Sequence, residues 1–237
     1  MKMSRLFLLE LERNNLRSYQ ISAIISAFFT LGFIYLMAII PKIEPSDSDA
    51  ELFKSYTFII GLTLVVMMGI FSIISATMAS KFIVDEYIGK KAILLFSYPI
   101  CRKDVMECKI LLVFLFTIVS MLLSGVCVIG VFLITENIFP ICNDNINFEL
   151  ILKTIIHLIC YALISGFCGI ISSSIGFKKK SVITTIVSSC IIMVIVCQIT
   201  AMTFFSEVST ILLLIVMGIF AFTAYHIILN QVKKMEL

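Results

Sequence analysis

Residues Ile110–Thr135 read ILLVFLFTIVSMLLSGVCVIGVFLIT, an unbroken run without one Asp, Glu, Lys or Arg. At about 1.5 Å per helical residue, a run of this length outreaches a bilayer core of roughly 30 Å. Working outward, five further charge-free runs occupy 18–41, 55–80, 154–177, 181–206 and 208–232. A backbone in hydrocarbon must satisfy its own amides. Runs this long, without the short alternating segments of a barrel, leave the helix as the available structure. The expectation is an all-α polytopic membrane protein with six transmembrane helices.

The charges between the runs sort by side. Lys2, Arg5, Arg13 and Arg17 precede the first; Lys81, Lys90, Lys91, Arg102, Lys103 and Lys109 lie between the second and third; Lys178–Lys180 follow the fourth; Lys233 and Lys234 follow the sixth. These are fifteen of the eighteen basic residues. The alternate connections hold only Lys42, Lys54 and Lys153 but carry Glu44, Asp47, Asp49, Glu51, Glu136, Asp144, Glu149 and Glu207. Basic residues near span ends are retained in the cytoplasm, so both termini are expected there. A hydrophobic content of 60% and a mean hydropathy of +1.12 exclude a soluble domain. The net charge of +3 is the difference between a basic inner and an acidic outer surface and implies no nucleic-acid partner.

The charged start is too long for a signal peptide's n-region and no small-residue cleavage site follows, so residues 1–17 are expected to remain. In that stretch Met3, Leu6, Phe7, Leu9 and Leu16 can share a face opposite Arg5, Glu12, Arg13 and Arg17, as in an amphipathic helix lying on the inner membrane surface. Residues 18–237 then form one six-helix transmembrane domain. Cys127, Cys160, Cys168, Cys190 and Cys197 fall within spans, Cys101 and Cys108 in a reducing loop, and Cys142 outside, which speaks for packing rather than disulfides. No Cys-x-x-Cys or His cluster offers a metal site, and no set of Ser, His or paired carboxylates at midplane depth offers a catalytic one. His157 and His226 read as interfacial, hydrogen-bonded side chains near opposite ends of their spans.

Small residues recur within two spans: Gly69, Ser72, Ala76 and Ala79, and Ala162, Ser165, Gly169, Ser172 and Gly176. Such stripes let helices approach closely, which gains dispersion contacts where no hydrophobic effect operates between them. The spans carry no charge near the midplane, which speaks against an ion-coupled carrier and for a large amphipathic cargo.

The inner segment from Lys81 to Lys109, KFIVDEYIGKKAILLFSYPICRKDVMECK, is longer than a simple return requires and carries apolar residues between charged ends. That pattern suits a docking element for a cytoplasmic partner. Within it Glu86-x-x-Gly89, then Leu94-Leu95, then Pro99 and Arg102, resembles the second inner loop of ABC-2 type exporter permeases. The Glu-to-Gly spacing is one residue shorter than the family's. Six spans in this length, both ends inside and a membrane-parallel start are also features of that family, and the short loops look most like bacitracin-resistance and lantibiotic-immunity permeases of Gram-positive plasma membranes. The resemblance implies a coupling loop at 81–109 with Asp85, Glu86, Gly89, Leu94, Leu95, Pro99 and Arg102 as its site, and a cytoplasmic ATPase subunit as partner. It also implies a dimer with a second permease, identical or different. The chain has no G-x-x-x-x-G-K-[ST], so it is expected to bind no cofactor itself and to draw on ATP-Mg through that partner. A substrate-capturing component of an energy-coupling-factor importer is the alternative, followed by an intramembrane enzyme. In a capture component the polar groups that matter would lie at the outer loops.

Overall fold

The computed structural model describes residues 3–43, 53, 55–87, 102–138, 148–202 and 207–234. Among these residues there is no strand. The helices are α1 (Met3–Arg13), α2 (Arg17–Ile43), α3 (Tyr56–Ala79), α4 (Arg102–Ile138), α5 (Phe148–Lys179), α6 (Val182–Met202) and α7 (Glu207–Lys234). The six from α2 to α7 are each long and apolar enough to cross a membrane, as the charge-free runs predict. The protein is a multi-pass helical membrane protein.

Helix ends depart from the charge-free runs in an instructive way. α4 begins at Arg102, eight residues before Ile110, and its 37 residues reach about 55 Å, longer than a bilayer core of roughly 30 Å. The rod of α3 continues past Ala79 through a π turn (Ser80–Val84) and a 3-10 turn (Asp85–Tyr87). Charge ends an apolar run but not a helix, because a helix needs only backbone hydrogen bonds. The expected loop 81–109 is therefore helical at both ends. Its middle, with Gly89, Leu94, Leu95 and Pro99, lies outside the described residues.

α3 and α5 pack most extensively and form the centre, with α4, α6 and α7 on α5 and α2 against α3 and α4. The small stripes lie where these helices cross. A Cβ built on Gly169 would stand 2.8 Å from Cβ of Ser75 on α3, and one on Gly176 would meet Thr185 of α6 at 2.8 Å (Cβ) and 3.1 Å (Cα). Gly69 faces Met193 and Cys197 of α6. Ser72, Ala76, Ala79, Ser165 and Ser172 are all buried. The hydroxyls of Ser72, Ser165 and Ser172 donate to the carbonyls of Gly69, Ala162 and Gly169 one turn back, so these small residues meet the facing helix with their polar atoms satisfied, whereas the buried Ser75 hydroxyl opposite Gly169 has no partner among the described residues. The stripes thus serve packing within the subunit.

Two apolar clusters divide the bundle along its length. One runs from Ile34, Tyr56 and Phe132 through Met121 and Tyr161; the other gathers Met78, Phe82, Tyr87, Met106, Phe177 and Ile228. The second cluster lies at the end where the basic segments meet: α1, the π turn, the start of α4, the α5–α6 turn and the last turns of α7. Glu136, Glu149, Lys153 and Glu207 belong to the opposite end. Six crossings thus bring the basic segments together at one end of the bundle, in agreement with the sorting of charges along the chain.

Candidate functional site

The buried face of α4 contains Val105, Met106, Leu112 and Val113, and in the same stripe stands Lys109, 1% exposed. An ammonium held there must be compensated, because desolvating an isolated charge is costly. Its Nζ pairs with Glu86 Oε2, donates to the carbonyl of Phe82 at 3.2 Å and lies 5.7 Å from the centroid of the Tyr87 ring. All three partners come from the π and 3-10 turns that extend α3, which wrap this cation with a carboxylate, a carbonyl and an aromatic face.

Glu86 also takes the N-terminal helix. Arg13 Nη2 donates to Glu86 Oε2 at 2.6 Å, and Arg13 Nη1 reaches Glu10 Oε1 at 3.3 Å. Glu10 is buried, and Asn14 Nδ2 donates both to its carbonyl at 2.9 Å and to its Oε2 at 3.0 Å. Two carboxylates thus face two cations in a cluster that joins α1, the end of α3 and the start of α4. Burial disfavours the Arg13 charge, but Glu86 and Glu10 outweigh it and raise the guanidinium above its ordinary pKa. Around the cluster, Tyr87 packs edge-on against Phe177 at 5.5 Å, and Tyr19 of α2 against Phe82 at 5.6 Å.

This arrangement redistributes the sequence-derived assignments. Glu86, expected as a contact for a partner, is held by two cations of its own chain. Asp85 stands beside it on the 3-10 turn and Arg102 opens α4, so these two flank the undescribed part of the loop. On α1, Leu6 is buried and Phe7 partly so, but Leu9 is exposed and the polar Glu10 and Asn14 take the inward positions. Leu6, Phe7 and Leu16 thus lie on the inward face and Glu12, Arg13 and Arg17 on the outward one, as the sequence predicts, and Leu9 departs because Glu10 takes the inward place beside the ion cluster. Lys109 closes the inner segment in the sequence, one residue before the charge-free run. Its spacing of three and four from Met106, Val105, Leu112 and Val113 is the signal that places it on the buried stripe.

The other end of the bundle has a cavity of about 230 Å³ between α3, α5 and α7. Ile60, Leu64, Leu150 and Tyr161 give it apolar walls, and Thr57, Lys153, Thr154, His157 and Glu207 are its polar members. Lys153 reaches Glu149 at 2.9 Å and Glu207 at 3.6 Å. His157 Nδ1 lies 2.8 Å from the Lys153 carbonyl and its ring is edge-on to Tyr161, so this side chain is hydrogen-bonded as the sequence predicts. His226 is exposed and stacks edge-on with Phe222 at 4.6 Å. Near the same end Tyr56 donates to the buried Glu136 at 2.9 Å, so this carboxylate, assigned to an outer connection by its charge, is part of the packed end of α4.

Among the described residues no group of His, Cys, Asp and Glu is arranged to hold a metal ion. No family model matches the chain. Over 188 residues it is 24% identical to a Bacillus subtilis (strain 168) protein that bears the name Uncharacterized protein YcbO, covering 79% of this chain and 81% of that one. No solved structure matches it.

Proposed function

We propose that this chain is the membrane permease subunit of an ATP-binding-cassette exporter of the ABC-2 type, moving an amphipathic substrate such as an antimicrobial peptide, an antibiotic or a lipid. In this reading the basic end faces the cytoplasm with both termini, and the membrane is a Gram-positive plasma membrane. A separate ATPase subunit docks on the connection between α3 and α4, and a second permease, identical or different, completes the pathway. The chain is a transport component in antibiotic resistance or lantibiotic immunity rather than an enzyme, and ATP-Mg is bound by the partner.

One observation carries the reading furthest. The connection that resembles the family's coupling loop is rooted at both ends in the Glu86–Lys109–Arg13 cluster. A push on the loop would therefore act at once on α1, α3 and α4, and α3 and α4 carry it through the bilayer. Such a rigid link between a surface element and spanning helices is what alternating exposure of a pathway requires.

The test is co-expression with a nucleotide-binding subunit encoded beside this chain, with co-purification and nucleotide hydrolysis measured in vesicles. Arg102→Glu, at the border of the loop, is expected to lower association. Undiminished association and hydrolysis, or movement of cargo with no nucleotide hydrolysed, would refute the reading. The cavity lined by Lys153, His157 and Glu207 favours a second reading, a capture component of an energy-coupling-factor importer. That reading expects cavity substitutions to abolish uptake and loop substitutions to leave it intact.

A further inference from the structure

We propose that the corner formed by Lys81, Lys178, Lys179 and Lys180 is a docking surface for the headgroups of anionic phospholipids. Lys178 and Lys179 end α5, Lys180 follows in the turn to α6, and Lys81 is distant in sequence. The π turn that carries Lys81 packs against both α5 and α6, the helices on either side of Lys180, which sets the fourth lysine at the end of the bundle where the other three stand. All four are exposed, and among the described residues none of them makes an ion pair. Three other cations at the same end, Arg13, Lys103 and Lys109, are each held by a glutamate of this chain, while Arg17 and Lys233 are exposed like the four lysines.

The backbone adds a second observation. The chain leaves α5 by a Schellman turn, with Ser181 N donating to the Gly176 carbonyl at 3.1 Å and Lys180 N to that of Phe177 at 3.2 Å. Lys180 occupies the left-handed position at φ 49°, where glycine would sit without a Cβ conflict. A lysine there holds its ammonium at the tip of the turn.

The surroundings favour lipid over an acidic protein. Ile175 before the turn and Ile183 and Val187 after it are exposed, with Ile183 at 73%. On spanning helices such residues belong among acyl chains, which sets the lysines at headgroup depth with their stems along the apolar surface. Juxtamembrane lysines attract anionic headgroups with an advantage of about five-fold each. This surface is independent of any ATPase and would exist in the isolated subunit.

The test uses the isolated subunit in nanodiscs of mixed phosphatidylcholine and phosphatidylglycerol, with the lipids retained after extraction quantified by native mass spectrometry. Wild type is expected to retain phosphatidylglycerol in excess of the bulk ratio, less so as salt rises above about 0.1 M, where the screening length falls below about 10 Å. The Lys178→Gln, Lys179→Gln, Lys180→Gln triple variant should lose more than ten-fold of that excess, and Lys81→Gln up to about five-fold. Lys180→Gly should lose lipid preference with an equal or higher melting temperature, which separates headgroup binding from folding. Lys103→Gln, whose ammonium is already paired, should leave the excess intact. A wild-type ratio equal to bulk would overturn the proposal, and so would an equal loss on Lys103→Gln, which would mean a general effect of net charge. Lysines needed for association with an ATPase but without effect on lipid would assign the corner to a protein and overturn it as well.

Discussion

Replacing Glu86 by Gln should be among the most damaging single changes in the chain. The side chain of Lys109 has no exposed surface, and Glu86 supplies its counter-charge with only 15% of its own side chain exposed. Removing one partner of a buried pair leaves the other charge uncompensated, at about 3–5 kcal/mol. The Arg13–Glu86 contact adds less, under about 1 kcal/mol, because the Arg13 side chain is 48% exposed and reaches water. For a chain of this size each kcal/mol lowers an apparent melting temperature by about 2–4 °C, so Glu86→Gln should cost about 6–20 °C in a detergent-solubilised melt. Lys109→Met should cost less, since Glu86 keeps Arg13 at 2.6 Å. The double variant Glu86→Leu, Lys109→Met should recover most of the loss, because an apolar pair can replace a buried ion pair at little or no cost. With Glu86→Leu added as the matching single variant, the double-mutant cycle isolates the coupling of the two. A Glu86→Gln shift under about 2 °C, or a double variant no better than the worse single one, would refute the claim that this pair is buried and mutually dependent.

The crossings of α5 yield sharper steric tests. Gly176→Ala should destabilise by about 1–3 kcal/mol, since its Cβ would stand 3.1 Å from the Thr185 backbone, which cannot rotate away, and a melting curve measures it. Gly169→Ala should be destabilising in the wild type but largely rescued by Ser75→Gly, because the obstacle is the Ser75 side chain; absence of rescue would mean that α3 and α5 do not cross there. Gly32→Ala and Gly130→Ala, which point into open space, should be neutral or stabilise by up to about 1 kcal/mol in the same assay. Tyr56→Phe removes the donor at 2.9 Å from the buried Glu136 and should cost about 1–3 kcal/mol, again read as a thermal shift.

Much of the architecture is legible in one dimension. Six charge-free runs announce six helices because bilayer thickness demands a minimum length, and the sorting of fifteen basic residues to alternate connections announces that those connections share one end. Gly169 and Gly176 are likewise legible as close-approach positions, since small residues at helical spacing have little other use between helices in lipid. These signals are local or additive along the chain, so reading them requires no knowledge of which helix neighbours which.

The ion cluster and the basic corner are of another kind. Glu86 meets Arg13 across 73 positions and Lys109 across 23, and Lys81 comes to the end of α5 that carries Lys178 and Lys179 because the π turn packs on α5 and α6. In sequence none of these charges shows which other charge it will meet. Whether a charge is solvated, paired or left for a partner depends on what the fold sets against it, and that is a property of tertiary contact. For the same reason the extent of α4, whose first turns hold a buried lysine, followed from packing and not from hydropathy.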